Sequence, residues 1–455
     1  MKVVWGAIAG TVALVLSALS AQAQTDAPSL LRIAETMTTT AEATRNDAML
    51  WGRLGGRRAE RNAAELVLLQ LRDAVDDGSL ESFEFRAYRP VHWRVALKDR
   101  GPLESAMPAP FDAWFPDVEP APLVVIESEL DWGRVSGSWA FVEASMQGSP
   151  ANTNVRRDNL FQRAVENGAA GLIFSLPTPP GDWRAVVPVD KAFTKRDERY
   201  PDHRRPIPAF CVSSDDGVRL REAARTGALL SSEIEFALNQ NLEGRNAVGV
   251  LRNGLERSAM IACHLDSFFS GANDDASGIA VMIGLARELA KLTPDERRVN
   301  FVFAGLSGHH DEGAGMRAFM DSDPARAVSI EGVILLEHLD AHTGELGEVP
   351  GWPESLNDLR AAYVGPQGWE GMDESISEMA KRSGLMDTDP RIVADCIADL
   401  YVVCGQKLTF CLIQAPPFYH TNHDTLDKLT EKGLQNAVDF HLEFLLKAGY
   451  ITRRP

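Results

Sequence analysis

The rhythm of apolar and polar positions changes several times along the chain, and each change predicts an element. Within residues 28–80, Asn62 to Val75 (NAAELVLLQLRDAV) carries apolar residues at helical spacing with no breaker, which predicts a helix. Residues 82–100 (containing FEFRAYRPVHWRVAL) alternate apolar and polar residues, the period of a half-buried strand. A Pro-rich connection runs from Gly101 to Pro122. Residues 123–238 hold five strand-like runs: LVVIES, WAFVEA, AGLIFSL, IPAFCVS and SSEIEFAL. A helix from Asp158 to Asn167, ended by Gly168, separates the second and third runs. Another, Gly217 to Arg225, separates the fourth and fifth. The Pro- and charge-rich stretch Pro177 to Pro208 reads as a long surface loop.

From about Asn246 the pattern alternates strand and helix. The strands are AVGVL, MIACHL, VNFVFAG, GVILLEHL and LTFCLIQ; the helices are Gly278–Leu292, Gly313–Met320, Asp373–Ser383 and Lys432–Lys447. Apolar, partly β-branched strands alternating with helices predict an α/β fold. Its sheet is parallel or mixed and covered by helices on both faces. Sites in such sheets lie beyond the carboxyl ends of the strands.

Composition narrows the picture. The chain has 455 residues, 45% hydrophobic and 24% charged, which fits two globular domains and leaves no case for disorder. A net charge of −18 argues against nucleic acid or an anionic membrane as partner. Residues 1–23 read as a secretory signal: Lys2, an apolar run from Val3 to Leu19, then the small-x-small site Ala21-Gln22-Ala23. The expectation is a protein exported to the periplasm or beyond, off the membrane once the signal is cut. There are five cysteines, so at least one stays unpaired within the chain; Cys396, Cys404 and Cys411 lie close enough in sequence to supply one bridge. No CxxC spacing marks a thiolate zinc site.

Candidate chemistry gathers at four strand ends. CHLDSFFSGANDDASG delivers His264 and Asp266 after one strand and Asp274 in the following turn. AGLSGHH delivers His309 and His310, LLEHLD delivers Glu337, and PPFYHTNHDTLDKL delivers His420. Six of the ten histidines sit at these ends, and imidazole with carboxylate is the donor chemistry that zinc takes. Asp266, two residues after His264, is placed to hold the His264 ring rather than to share its metal.

These motifs resemble those of the co-catalytic di-zinc exopeptidases, the family of bacterial aminopeptidases and glutamate carboxypeptidase. The match runs from about Asn246 to the end and is strongest at CHLDS, GANDDASG and YHTNHDTLDKL. Residues 123–238, with ENGAAGLIFSL and IPAFCVSSDDGVRL, resemble the protease-associated domain often inserted in that family. RLGGRRAERNAAELVLLQL resembles its amino-terminal helix. The resemblance implies a mixed, mostly parallel sheet sandwiched by helices with a smaller α+β unit inserted, and divisions at 24–120, 121–240 (the insert) and 241–455. It also implies two zinc ions, with Asp274 bridging. His264 and Glu337 would complete one set, His420 and His310 the other, and Asp266 would orient His264. Asp275 would be structural. His338 and His423 fall outside the implied ligands, and Tyr419 is either a donor to the reacting carbonyl or a packing residue.

The departure from the family is at its Glu-Glu pair. Counting back from Gly315 and Phe319 puts His309 in the general-base position and His310 in a carboxylate ligand position. A second register would use Asp311 and Glu312 instead. The implied activity is zinc-dependent exopeptidase action on peptides, an aminopeptidase first. A carboxypeptidase, a hydrolase of another amide, and a non-catalytic relative that binds metal and peptide remain as alternatives.

Overall fold

The computed structural model describes residues 29–45, 49–109, 111, 113–144, 160–186, 204–341, 359–364, 371–385, 390–414 and 416–455. The expected signal segment, 1–23, lies outside these. Among the described residues no helix is long and apolar enough to cross a membrane.

Among the described residues, fifteen strands form two sheets. In chain order they are β1 (Asp77–Leu97), β2 (Gly101–Pro102), β3 (Met107–Pro108), β4 (Val118–Ala121), β5 (Leu123–Val125), β6 (Trp139–Glu143), β7 (Gly171–Ser175) and β8 (Ala209–Val212). Then come β9 (Leu230–Leu251), β10 (Ser258–His264), β11 (Asn300–Leu306), β12 (Ile330–Glu337), β13 (Leu359–Val364), β14 (Arg391–Val393) and β15 (Leu408–Gln414). The large sheet runs β14-β13-β15-β12-β10-β11-β9-β1-β2, with β4 on β9; the small one runs β3-β8-β7-β6-β5.

The centre of the large sheet, β15-β12-β10-β11, is parallel; β13 and β9 join it antiparallel on either side, and β14 lies parallel to β13. Four neighbouring parallel strands therefore end on one edge. That edge receives His264, the turn after Leu306, Glu337 and the loop after Gln414.

Period-2 alternation sends successive side chains of β10 into two different cores. Ala259, Ile261 and Cys263 face helices α1 (Leu30–Glu42), α2 (Arg58–Leu71) and others. Met260 and Ala262 join Met316, Phe319, Cys396 and Leu400 on the opposite face. The remaining helices are α3 (Leu160–Glu166), α4 (Ser214–Thr226), α5 (Ser277–Ala290), α6 (Ala314–Ser322), α7 (Pro324–Ser329), α8 (Met372–Arg382) and α9 (Glu431–Lys447). Of these, α5, α8 and α9 pack on the first face and α6 on the second.

The small sheet is reached through one long ribbon. Strands β1 and β9 pair from Asp77↔Val250 to Leu97↔Leu230, with register shifts flanking Pro90, which has no N–H for the ladder. The near half of the ribbon belongs to the large sheet. Trp93, Val95, Leu97 and Leu230 on the far half pack with Trp139, Phe141, Ile173 and Phe210 of the small sheet. Met107–Pro108 thus belongs to the small sheet, earlier in the chain than residue 121. Cys396 and Cys404 are bonded to one another; Cys211, Cys263 and Cys411 are buried free thiols.

Candidate metal centre

The turn Gly271–Gly278 is shaped by side chains that satisfy its backbone. Asp424 accepts the N–H groups of Asn273 and Asp274 at 2.8 and 3.0 Å. Asp275 accepts those of His264, Gly278 and His338 at 3.1, 3.1 and 3.3 Å, which gives it a structural place. A Cβ at Gly278 would lie 2.4 Å from Asp275 Oδ1, so this position takes only glycine. Buried Arg53 donates to the carbonyls of Leu265, Ser270 and Gly271, bracing the same loop from the amino-terminal segment. With these ties Asp274 is held at the middle of the edge.

Four imidazoles are anchored around it. His264 Nδ1 donates to the Asp266 carbonyl at 2.8 Å, His338 Nδ1 to the Gln414 carbonyl at 3.0 Å, and His420 Nδ1 to the Val186 carbonyl at 3.1 Å. His310 Nδ1 meets Asp266 Oδ2 at 2.7 Å. Each acceptor fixes the proton on Nδ1 and leaves the Nε2 lone pair facing the centre.

Those four lone pairs converge on one carboxylate. Asp274 Oδ1 lies 2.9 Å from Nε2 of both His264 and His338. Asp274 Oδ2 lies 3.0 Å from His420 Nε2 and 3.7 Å from His310 Nε2. His310 and His420 Nε2 are themselves 3.0 Å apart. Glu337 Oε1 lies 3.5 Å from His338 Nε2. Lone pairs packed against lone pairs and carboxylate oxygens repel unless cations lie between them. Among the described residues, buried His264 Nε2, Asp274 Oδ2 and Glu337 Oε2 also lack hydrogen-bond partners. The donor set, neutral imidazole and carboxylate without thiolate, fits zinc. Burial pushes His420 down to about 3, the neutral form that a metal requires.

The sequence-derived residues His264, Asp274, His310, Glu337 and His420 all fall within this cluster. Two details differ from expectation. The Asp266 carboxylate does not hold the His264 ring, from which it stands 3.9 Å away. It accepts the backbone N–H groups of His309 and His310 at 2.9 and 3.0 Å as well as the His310 ring, because the β11 turn brings those donors across it. His338, left out of the ligand list, has its Nε2 against Asp274.

His309 occupies a different position. Its ring stacks on His264 at 4.2 Å with an interplanar angle of 11°. Its Nε2 lies 3.4 Å from Glu337 Oε1 and its Nδ1 3.2 Å from Asp399 Oδ1. Burial works against its charge, but Asp399 and Glu337 raise it well above the usual histidine value. Asp399 comes from the loop closed by the Cys396–Cys404 bond, a partner that no local motif announces.

Asp311 and Glu312 stand outside the cluster. Asp311 pairs with buried Arg89 of β1 at 2.7 Å. Behind the turn, Glu60 of α2 accepts the N–H groups of Gly56 and Gly308. Burial, with the nearby Asp266 charge, pushes its carboxyl up to about 8. His423 stacks on Trp183 at 3.9 Å, facing the small-sheet unit rather than the metal donors. Tyr419 stacks on His420 at 3.6 Å.

Residues 246–445 match the model of Peptidase family M28. Among solved structures, the chain is similar to a zinc aminopeptidase from Bacillus subtilis at 16% identity and TM-score 0.63, over 93% of this chain and 96% of that one. It is similar to a Peptidase M28 precursor from Shewanella amazonensis at 16% identity and TM-score 0.64, over 94% and 99%. An aminopeptidase from Aneurinibacillus sp. strain AM-1 aligns at 19% identity and TM-score 0.55, over 90% and 92%. The fold is thus shared along nearly the whole length, and the match to Peptidase family M28 covers the strands and turns that carry the donors, which together support a metallopeptidase.

Proposed function

We propose that the protein is an exported zinc exopeptidase acting as an aminopeptidase, with the small-sheet unit as a protease-associated insert. The observation that carries the reading is Asp274, whose two oxygens each face a separate pair of imidazole nitrogens, the arrangement of a bridging carboxylate. Zinc bound there would supply Lewis-acid polarisation of a carbonyl and an acidified water.

The chain's own residues account for the proton and the orientation. His309 is assigned as the proton carrier, at Nε2, because it precedes the His310 donor and lies beside His264 and Glu337 without facing Asp274. Asp399 on the Nδ1 side and Glu337 on the Nε2 side stabilise the imidazolium that a proton acceptor must reach. One support for an amino-terminal cut comes from two buried arginines: Arg53 is committed to backbone carbonyls and Arg89 to Asp311 and the Gly55 carbonyl, so these two are not left to clamp a substrate carboxylate. Export rests on Lys2, the apolar run and Ala21-Gln22-Ala23; the Cys396–Cys404 bond suits an oxidising compartment.

The test is turnover by zinc-loaded protein of aminoacyl-nitroanilides, free dipeptides and peptides blocked at either end. Cleavage that requires a free amino terminus is expected. Cleavage requiring a free carboxyl terminus would make it a carboxypeptidase, and no cleavage of any member would overturn the exopeptidase reading.

A further inference from the structure

The two oxygens of Asp274 do not face equal partners. On the Oδ2 side stand His310 and His420, giving three protein donors with the carboxylate. On the Oδ1 side stand His264 and His338, with Glu337 Oε1 3.5 Å from His338 Nε2. The family pattern gives this strand end only Glu337.

The geometry of His338 is that of a metal-facing imidazole. Its ring is buried, and its Nδ1 proton is committed to the Gln414 carbonyl, so the lone pair sits on Nε2. That nitrogen lies 2.9 Å from Asp274 Oδ1. The ring stands at 81° to that of His264, so the two in-plane lone pairs can meet at a common point. His309 is set differently: its ring is parallel to that of His264, and its nitrogen groups with His264 and Glu337 rather than with Asp274. In a regular strand, Glu337 and His338 would point to opposite faces. A φ of 52° at His338 breaks the alternation and turns both toward the centre.

We propose that His338 is a fourth protein ligand on the His264 side. That side is then closed, with His264 Nε2, His338 Nε2, Asp274 Oδ1 and Glu337 Oε1, while the His310–His420 side has three protein donors and an open position. Closed sets of four hold zinc structurally, and sets of three leave room for water or substrate. The centre therefore takes one divalent ion tightly and a second that exchanges readily, and it is the second that meets the substrate. The proposal rests on the reading that this is a zinc centre, and not on which peptides it cuts.

The test uses the full mature chain, stripped with a chelator and reloaded with cobalt or zinc one equivalent at a time. Two-phase loading is expected, the first equivalent giving the intense visible absorption of a four-coordinate cobalt site. In H338Q, and in H338N, whose side chain tolerates the left-handed backbone, affinity for the first ion should fall at least about 100-fold with loss of that absorption. H310Q should weaken only the second ion, and H92Q, exposed on β1, neither. Zinc-loaded wild type in the crystal should place an ion about 2.0–2.1 Å from His338 Nε2. First-phase affinity and absorption retained by folded H338Q and H338N, equal loading of both ions, or His338 Nε2 only hydrogen-bonded to Asp274 in the loaded crystal would each overturn the proposal. Peptide turnover is not a readout here, so failure of the aminopeptidase reading leaves it standing.

Discussion

Among the described residues, buried imidazoles occur in two regions, and they are anchored alike. At the strand ends His264, His338 and His420 give Nδ1–H to backbone carbonyls; in α9, His441 gives its own to Ala437 at 2.7 Å. What differs is the second nitrogen. His441 Nε2 is buried with no hydrogen-bond partner, its ring packed beside Phe410 and Phe440. Desolvation pushes it down to about 4, and it stays neutral. At the strand ends the same free lone pair meets a carboxylate. Burial and anchoring alone do not make a ligand; an anion set before the second nitrogen adds the missing element, because that contact is relieved by a metal ion or a proton between the two atoms.

The contrast should break most severely at Asp274. D274N keeps the shape of the turn but removes the charge between the imidazoles. We expect zinc to fall from two per chain to one or none and kcat/KM to drop by at least about 10³-fold, read by elemental analysis beside nitroanilide turnover. Full zinc retention would mean the carboxylate is not what assembles the centre.

His309 tests the other half of the distinction, an imidazole beside the donors but outside them. H309Q should keep its zinc while kcat falls by about 10²–10³-fold at little-changed KM. Loss of metal in parallel would make His309 a ligand.

For His441 the effect is on stability. Its folded value, about 4, lies below the unfolded value of about 6.5, so the unfolded chain takes up the proton first. The stability it contributes is complete above about pH 6.5 and is lost as pH falls toward 4. Urea unfolding at pH 7 and pH 5 should show the wild type losing about 2 kcal/mol more than H441L. Equal losses would show that the ring is protonated without cost.

The smallest effect concerns the support of His420. Asn422 ties its loop to the small-sheet unit through Arg184 N and Asp182 O, each at 2.9 Å. N422A should weaken the more exchangeable zinc about 10-fold in chelator competition, with the tighter ion unaffected.

Much of this was legible in the sequence because the donors sit where apolar strands stop. CHLD, SGHH, LLEH and FYHT each follow such a run, and parallel packing brings the four ends to one edge. His338 escaped because the alternation rule sends neighbours in a strand to opposite faces, and a single left-handed residue is invisible in the pattern. The Asp266 carboxylate was misdirected for a related reason: the backbone carbonyl already serves the His264 ring, which frees the side chain for the next turn. Asp399 and Val186 escaped because their contacts are long-range; the Val186 carbonyl lies 234 residues from the ring it accepts. The flanking strands β13 and β14 are short and lie in an interrupted stretch with no clear period. Residues 82–100 read as a strand, but the 21-residue span from Asp77 depends on β9 as partner.

The Val186 contact has a meaning for how this protein can change. Val186 N–H donates to the His420 carbonyl at 2.9 Å while its own carbonyl receives the His420 ring, and Ala185 bridges Thr421 in antiparallel fashion. A stretch between β7 and β8 of the small-sheet unit thus forms part of the cradle for a residue of the other sheet. The insert is not a detachable module. Excising it, or exchanging it for a homologous unit, would remove the acceptor that sets a metal-facing ring, so recombination at this boundary succeeds only where residues 182–186 and 419–423 travel together.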